Sequence, residues 1–372
     1  MTPVPLELPL RPSEAAELAN LIFDLAERKP LNDEVRNRLA ARAAVLRLST
    51  ITPYLRSLVR DPVHPSAYYL AVDGELRGSE RQAEPLLLYM ALANAPTSSI
   101  YYKPLLIGRM RRPNGPEFVV NATPFGPGDH ENLDKYVAQL DSGFLPRPQR
   151  SRATLAIGGD PAAAFEFFRA YGKRTGRNLA ALFHSGGTGI RQAYYAALWA
   201  AIRAGWRDEY TIGIEIKVER ESLDSAKEAI LDAAGYTRFA IDTTCLGDPK
   251  QCLKVWEHLH EYIRQTRSAL KFTRGFDFEV VLPASSPEEL QFCLQSLKER
   301  DHAPQLVAVP AAGPLPELAS VARQYQAILS LRNGESLSAG VLRAVGKATV
   351  GRVNCNLAGA APAESVAEEL LG

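Results

Sequence analysis

Residues 210–244 read YTIGIEIKVERESLDSAKEAILDAAGYTRFAIDTT. The stretch opens on a β-branched run in which alternate residues differ in kind. Ile214, Ile216 and Val218 share one face, and Glu215 and Lys217 share the other. The next segment, SLDSAKEAILDAAG, has helical patterning, and a second β-branched run, RFAIDTT, follows it. Strand, helix and strand in that order make a βαβ unit, whose two strands pair in parallel.

Working outward, the same alternation recurs. ATLAIGG, LAALFHSGG, FDFEVVLP, PQLVAVP, AILSLRNG and RVNCNLAG join the two runs above, and helical patterns such as SPEELQFCLQSLKERD lie between most of them. Eight candidate strands from about Ser151 onward predict a (β/α)8 barrel of the TIM type over residues 151–372. Residues 1–150 are less regular. Two helical patterns, with Ser13 as a candidate N-cap for the first, precede the strand-like runs AYYLAVDGELRG, SIYYKPLLIGRMRRP and PEFVVNATPF. They predict a smaller N-terminal α+β region. The Pro- and Arg-rich segment SGFLPRPQRSR reads as the boundary.

Composition narrows the class. Of 372 residues, 46% are hydrophobic and 23% charged, with a net charge of +1, so no global field favours nucleic acid or an anionic membrane. No apolar run approaches the ~18 residues of a membrane span, and the first residues lack the layout of a signal peptide. A cytoplasmic protein is the expectation. The four cysteines, Cys245, Cys252, Cys293 and Cys355, have neither C-x-x-C nor zinc-finger spacing and read as buried free thiols. The sequence leaves the oligomeric state open.

Strand parity locates a candidate site. Glu215 with Lys217, Asp242 with Thr244, Asp277 with Glu279, Ser330 with Arg332, and Asn354 with Asn356 each share a strand face near a C-terminal end. Burying such groups without partners costs several kcal/mol each, and active sites of these barrels lie at that end. A ligand pocket is therefore expected, with a network of internal salt bridges as the alternative. Asp277, early in its strand, is expected to be solvated at the opposite end. His184 precedes a glycine turn, His-Ser-Gly-Gly-Thr-Gly, which opens a helix. Backbone N–H groups at Gly186 and Gly187, with Arg191 one turn into the helix, would suit an anion. No lysine follows the last glycine, so this is not a nucleotide-binding Walker loop. His258 and His260, two apart on a helix, point different ways and are not a metal pair. Asp129 and His130 read as a solvated turn.

The order of segments over residues 150–360 resembles the tagaturonate/fructuronate epimerase family, metal-dependent enzymes that act on keto-hexuronates. AALWAAIRAGWRDEYTIGIEIKVE, AGYTRFAIDTT, FDFEVVLP and AILSLRNGESLSAGVLRAVGKATVGRVNCNLAGA carry the likeness. Three positions depart from it. The family's acidic–x–acidic–His segment reads Glu215-Ile216-Lys217-Val218 here. Arg332, before Asn333 and Gly334, replaces a histidine of a His-Ser-Gly turn. Asn354 replaces the histidine before the last glycine turn. The resemblance implies an isomerase, epimerase or lyase for a uronate-like carbohydrate acid. The departures predict no resident metal and no other cofactor, because Lys217 and Arg332 put fixed positive charge where a divalent cation would sit. On that reading Glu215 or Glu279 is the general base and Lys217 the electrophile, polarising a carbonyl or forming a Schiff base. His184, Gly186, Gly187, Arg191, Asp242, Arg332, Asn354 and Asn356 hold a sugar acid or sugar phosphate. A non-catalytic sugar-acid binding protein on an inherited barrel is the alternative.

Overall fold

Each of the eight β-branched runs forms a strand: β7 (Thr154–Ile157), β8 (Ala180–His184), β9 (Tyr210–Lys217), β10 (Arg238–Asp242), β11 (Asp277–Val281), β12 (Leu306–Pro310), β13 (Ile328–Arg332) and β14 (Val350–Cys355). All pair in parallel with their sequence neighbours, and β14 returns to β7 to close the barrel. The computed structural model describes residues 11–26, 30–46, 48–74, 84–92, 106–111, 115–148, 154–157, 164–170, 180–184, 189–208, 210–220, 222–281, 286–299, 306–310, 314–332 and 350–355. The chain divides into two units, residues 146–197 with 208–372, and residues 1–145 with 198–207. No helix among the described residues is long and apolar enough to cross a membrane.

In the barrel unit the apolar face of each strand meets helices. Ile212, Ile214 and Ile216 are buried. Phe278 of β11 lies edge-on to His260 of the helix Pro249–Ala269, ring centroids 4.9 Å apart. That histidine is thus a packing residue. The neighbours of Phe278 in the strand, Asp277 and Glu279, therefore face the interior. Small side chains fill part of that interior, where Ala240, Val281 and Ala308 form a cluster of their own. Helix starts are capped as local chemistry dictates: Ser286 accepts from Glu289 N at 3.2 Å, and Asp248 accepts from Lys250 N at 3.1 Å just before Pro249. A buried cation locks the loops around the start of β10. Arg267 donates to the carbonyls of Ala234 at 2.6 Å and Arg274 at 2.7 Å, and to that of Tyr236. Burial without a carboxylate brings its guanidinium down to about 10.

The N-terminal unit is an antiparallel sheet in the order β1-β3-β4-β6-β5, with β2 beside β3. Its strands are β1 (Ile51–Pro53), β2 (Val59–Arg60), β3 (Ala67–Gly74), β4 (Glu84–Leu92), β5 (Leu106–Arg111) and β6 (Glu117–Pro124). Tyr68, Leu70, Leu88, Met90, Phe118 and Val120 line one face, and they pack on Leu18, Ile22 and Phe23 of the helix Pro12–Ala26. That helix starts at Pro12, so Ser13 sits inside its first turn and is not its cap. On the other side of the unit, Trp199 meets Phe125 at 5.5 Å and Tyr54 at 5.9 Å, both edge-on. Trp199 lies on the half of the helix Ile190–Ala204 that belongs with this unit. Just beyond that helix, Gly205 has φ +63°, and a Cβ there would fall 2.2 Å from Arg56 Cβ. Only glycine fits.

Glu14 ties the first helix to the chain entering β1. Its carboxylate accepts from Ser49 N and Ser49 Oγ, each at 2.8 Å, and from Thr50 Oγ1 at 2.6 Å. Burial pushes this carboxyl up, but the hydrogen bonds from Thr50 and Ser49, with the Arg11 charge, outweigh it and hold the group below its ordinary value. A depressed carboxyl stabilises the fold above its unfolded value, about 4.3, and that stabilisation is lost as pH falls through the lower folded value. Glu14→Gln is expected to cost about 1.5–3 kcal/mol at pH 7. The gap from the unsubstituted protein should narrow as pH falls below 4, in urea unfolding measured at both pH values. An unchanged gap would reject the assignment.

Candidate functional site at the barrel mouth

Exposure along β9 reveals which end opens. Its inner positions pass from buried Thr211 and Gly213 to half-buried Glu215 and exposed Lys217, while the outer positions Ile212, Ile214 and Ile216 stay buried throughout. The interior is closed at the N-terminal end of this strand and open at its C-terminal end.

Register assigns the remaining expected residues. Ala240 lies level with Glu215 on one side and Glu279 on the other, and Asp242 lies level with Lys217. Pro310 of β12 carries the same face on to Arg332 of β13. Asn354 of β14 is level with Ala156 of β7, and His184 of β8 is level with Gly213 of β9. All of these positions fall on one continuous face around the ring. Gly186, Gly187 and Asn356 lie outside the described residues. Thr244 is not on that face, because β10 ends at Asp242. It turns back, and Asp242 Oδ1 accepts from Thr244 N at 3.0 Å and from its Oγ1 at 2.6 Å. The turn draws Cys245 beside β9. Cys245 is exposed, unlike buried Cys252 and Cys293, and its thiol donates to the Val218 carbonyl at 2.7 Å.

Arg191 is placed elsewhere. It is exposed and sits 3.9 Å from Asp232, and the adjoining Ile190 carbonyl accepts from the Tyr236 hydroxyl at 2.6 Å. Both partners belong to the chain that leads into the N-terminal end of β10, away from the open end.

Two interior acids are structural neighbours of a residue that sequence reasoning overlooked. Arg238, 1% exposed, pairs with Glu279, also 1% exposed. Its Nε donates to Glu279 Oε2 at 2.6 Å, and Nη2 closes on the same oxygen. Nη1 is buried with no hydrogen-bond partner among the described residues. Asp277 is level with Arg238 and is buried at 4%, not solvated. The signal for Arg238 was present, since it precedes Ala240 and Asp242 by the same two-residue step.

Two of the acids on this face are already engaged. Among the described residues no three His, Cys, Asp or Glu side chains group to hold a metal ion. One oxygen of Asp242 is engaged by its own turn, Glu279 is held by Arg238, and a lysine stands level with Asp242. A hard divalent ion requires several oxygen or imidazole donors free of cations.

No family model matches the chain, and no curated protein does. Among solved structures, it is similar to the fructuronate-tagaturonate epimerase UxaE from Cohnella laeviribosi, with a TM-score of 0.53 and 15% identity, over 87% of this chain and 74% of that one. Weaker likenesses, each with a TM-score of 0.40, are to the YdjI aldolase from Escherichia coli K12 and the fructose-bisphosphate aldolase from Campylobacter jejuni. The first is 11% identical over 55% of this chain and 75% of that one; the second is 10% identical over 62% and 76%. At 15% identity what this chain shares with the epimerase structure is the fold, a (β/α)8 barrel.

Proposed function

We propose that the open end of the barrel binds a small carbohydrate acid of the uronate type and isomerises or epimerises it without a resident metal. The observation that supports this most is the run of inner positions on β9, from buried Thr211 to exposed Lys217, which delivers a carboxylate and an ammonium to one accessible rim. Glu215 is the general base and removes a proton from the carbon beside the substrate carbonyl. The C–H electron pair becomes the C=C bond of an enediolate, and the carbonyl π pair moves to oxygen. Lys217, two residues along the same face, supplies positive charge to that oxygen. Glu215 returns its proton to the neighbouring carbon to give the isomer, whereas inversion takes a proton from water at the open rim onto the opposite face and gives the epimer, Glu215 passing its own proton to solvent. Glu279 is left out of this role because Arg238 holds it. Arg332, at the end of β13, takes the substrate's anionic group, for which a guanidinium offers a bidentate fork. His184 and Asn354 complete the ring of polar positions, and Gly186, Gly187 and Asn356 are assigned to ligand contact by sequence alone. A thermal-shift screen of hexuronates, keto-hexuronates and sugar phosphates tests the ligand class. Product analysis with any stabilising keto-acid then tests turnover. Absence of stabilisation by every acid would sink the proposal.

A second reading, a sugar-acid binding protein without catalysis, has its own support. Two interior carboxylates, Glu279 and Asp242, are engaged by Arg238 and by the Thr244 turn. Stabilisation by a keto-uronate with no product and no borohydride-trapped adduct would favour it.

The metal-free part of the proposal carries a separate expectation. Protein purified without added metal should contain well under one equivalent of Zn, Mn, Ni or Co by elemental analysis. A stoichiometric content of any of them would reject it.

A further inference from the structure

We propose that Asp242 is a positioning residue, which holds the turn after β10 against the end of β9 and so fixes Lys217 at the open rim. The part played by Lys217 rests on the function proposed above; the hold itself does not. β9 and β10 stay joined past their last paired residues. Lys217 lies level with Asp242, and the backbone of the next residue, Val218, is gripped at both its polar groups. Its N–H donates to the Asp242 carbonyl at 2.9 Å, and its carbonyl accepts from the Cys245 thiol at 2.7 Å. Two residues on, Arg220 Nε donates to the Cys245 carbonyl at 2.6 Å. Three hydrogen bonds thus join the chain leaving β9 to the chain leaving β10, and two of them end on Cys245.

Cys245 is exposed, so burial does not anchor it. Its place follows from the turn it belongs to. Leu246 N donates to the Thr243 carbonyl at 3.0 Å and closes that turn. Asp242 Oδ1 takes both donors of Thr244, N at 3.0 Å and Oγ1 at 2.6 Å, the local bond that an aspartate makes to the backbone two residues on. Gly247, at φ +71°, then turns the chain toward the helix Pro249–Ala269. The hold therefore runs from Asp242 through Thr244 and Cys245 to Val218. Its outer end is the residue next to Lys217, which is the exposed last residue of its strand. Strand ends open locally at little cost unless they are tied, and a displacement of about 1 Å at a reacting group can cost about 100-fold in rate. Tying Val218 on both sides keeps the ammonium within reach of the oxygen whose charge it stabilises.

The test compares Asp242→Ala and Asp242→Asn with the unsubstituted full chain. Asparagine keeps an oxygen that can take both donors of Thr244, and alanine has none. The first readout needs no ligand. It is the rate at which iodoacetamide alkylates Cys245, followed on its own peptide by mass spectrometry, together with amide hydrogen exchange over residues 216–220. Alkylation goes through the thiolate, so the bond to the Val218 carbonyl must break first. Both rates should rise about 10-fold in Asp242→Ala, in line with the loss of hydrogen bonds to a charged group. In Asp242→Asn they should stay close to those of the unsubstituted chain. Rates unchanged in Asp242→Ala would overturn the inference. The second readout is turnover of whichever keto-uronate stabilises the chain. In Asp242→Ala kcat should fall about 10-fold with KM little changed, and Asp242→Asn should recover most of that loss. A loss as deep in Asp242→Asn as in Asp242→Ala, with the Cys245 rate of the asparagine variant unchanged, would overturn the positioning role and make the charge of Asp242 itself the requirement. If no keto-uronate is turned over, the proposed function falls, and alkylation and exchange still decide whether Asp242 holds the end of β9. Should Asp242→Ala not fold, Thr244→Val removes only the Oγ1 donor, at an exposed position. Faster alkylation of Cys245 in that variant would support the hold, and an unchanged rate would overturn it.

Discussion

Arg238→Met is expected to destabilise the barrel by about 3–5 kcal/mol, the usual consequence of removing one partner from a buried ion pair. Arg238 and Glu279 are each 1% exposed, so the change removes the guanidinium from a buried carboxylate. The loss should be far smaller when both charges go together. Arg238→Met with Glu279→Leu replaces the pair with apolar groups of similar length beside Ala240 and Ala308, where there is already an apolar cluster. Such exchanges are often neutral or stabilising. Urea unfolding of the two variants decides the matter. A double variant as unstable as the single one would mean that Arg238 is needed for something other than balancing Glu279.

Glu215→Gln is expected to lower turnover of the substrate class proposed above by about 10²–10⁴-fold while leaving its binding largely intact. The amide keeps the size and some hydrogen bonding of the carboxylate but cannot accept the proton. Lys217→Met should also depress turnover, because it removes the charge that stabilises the developing oxyanion. Both residues are at the open end of β9, half-buried and exposed respectively, so neither change should disturb stability as Arg238→Met does. Full activity in Glu215→Gln would remove it from the role of base.

The barrel was legible because its strands alternate. In Gly213–Val218 every second residue is isoleucine or valine, and the packing of a barrel strand between helices and a polar interior imposes that period. β4 was not legible. Its sequence, EPLLLYMAL, is apolar on both faces because both are covered, and a continuous apolar run does not separate strand from helix. Arg191 was associated with the open end by its distance along the chain from the glycine turn, but its helix begins beside Tyr236. For the interior, parity identified the face and left the pairings unspecified. Which carboxylate Arg238 takes depends on side chains crossing from β10 to β11, a choice encoded by volume and reach that the strand period does not carry. The environment of Cys245 was hidden for a similar reason, since a turn hydrogen bond from Thr244 swings it clear of the core.

Because residues 198–207 belong to the N-terminal unit, that unit is discontinuous in the gene. Trp199 reaches it only after residues 146–197 have been made. On the ribosome, the first 145 residues therefore wait for part of their own core while the first two barrel strands emerge. Cutting the chain at residue 145 would strip the N-terminal fragment of Trp199 and leave that indole, with Leu198 and Ile202, on the wrong piece as bare apolar surface. Neither half should express well alone. Moving the break beyond residue 207 would keep Trp199 with its unit but would part β7 and β8 from the rest of the closed barrel.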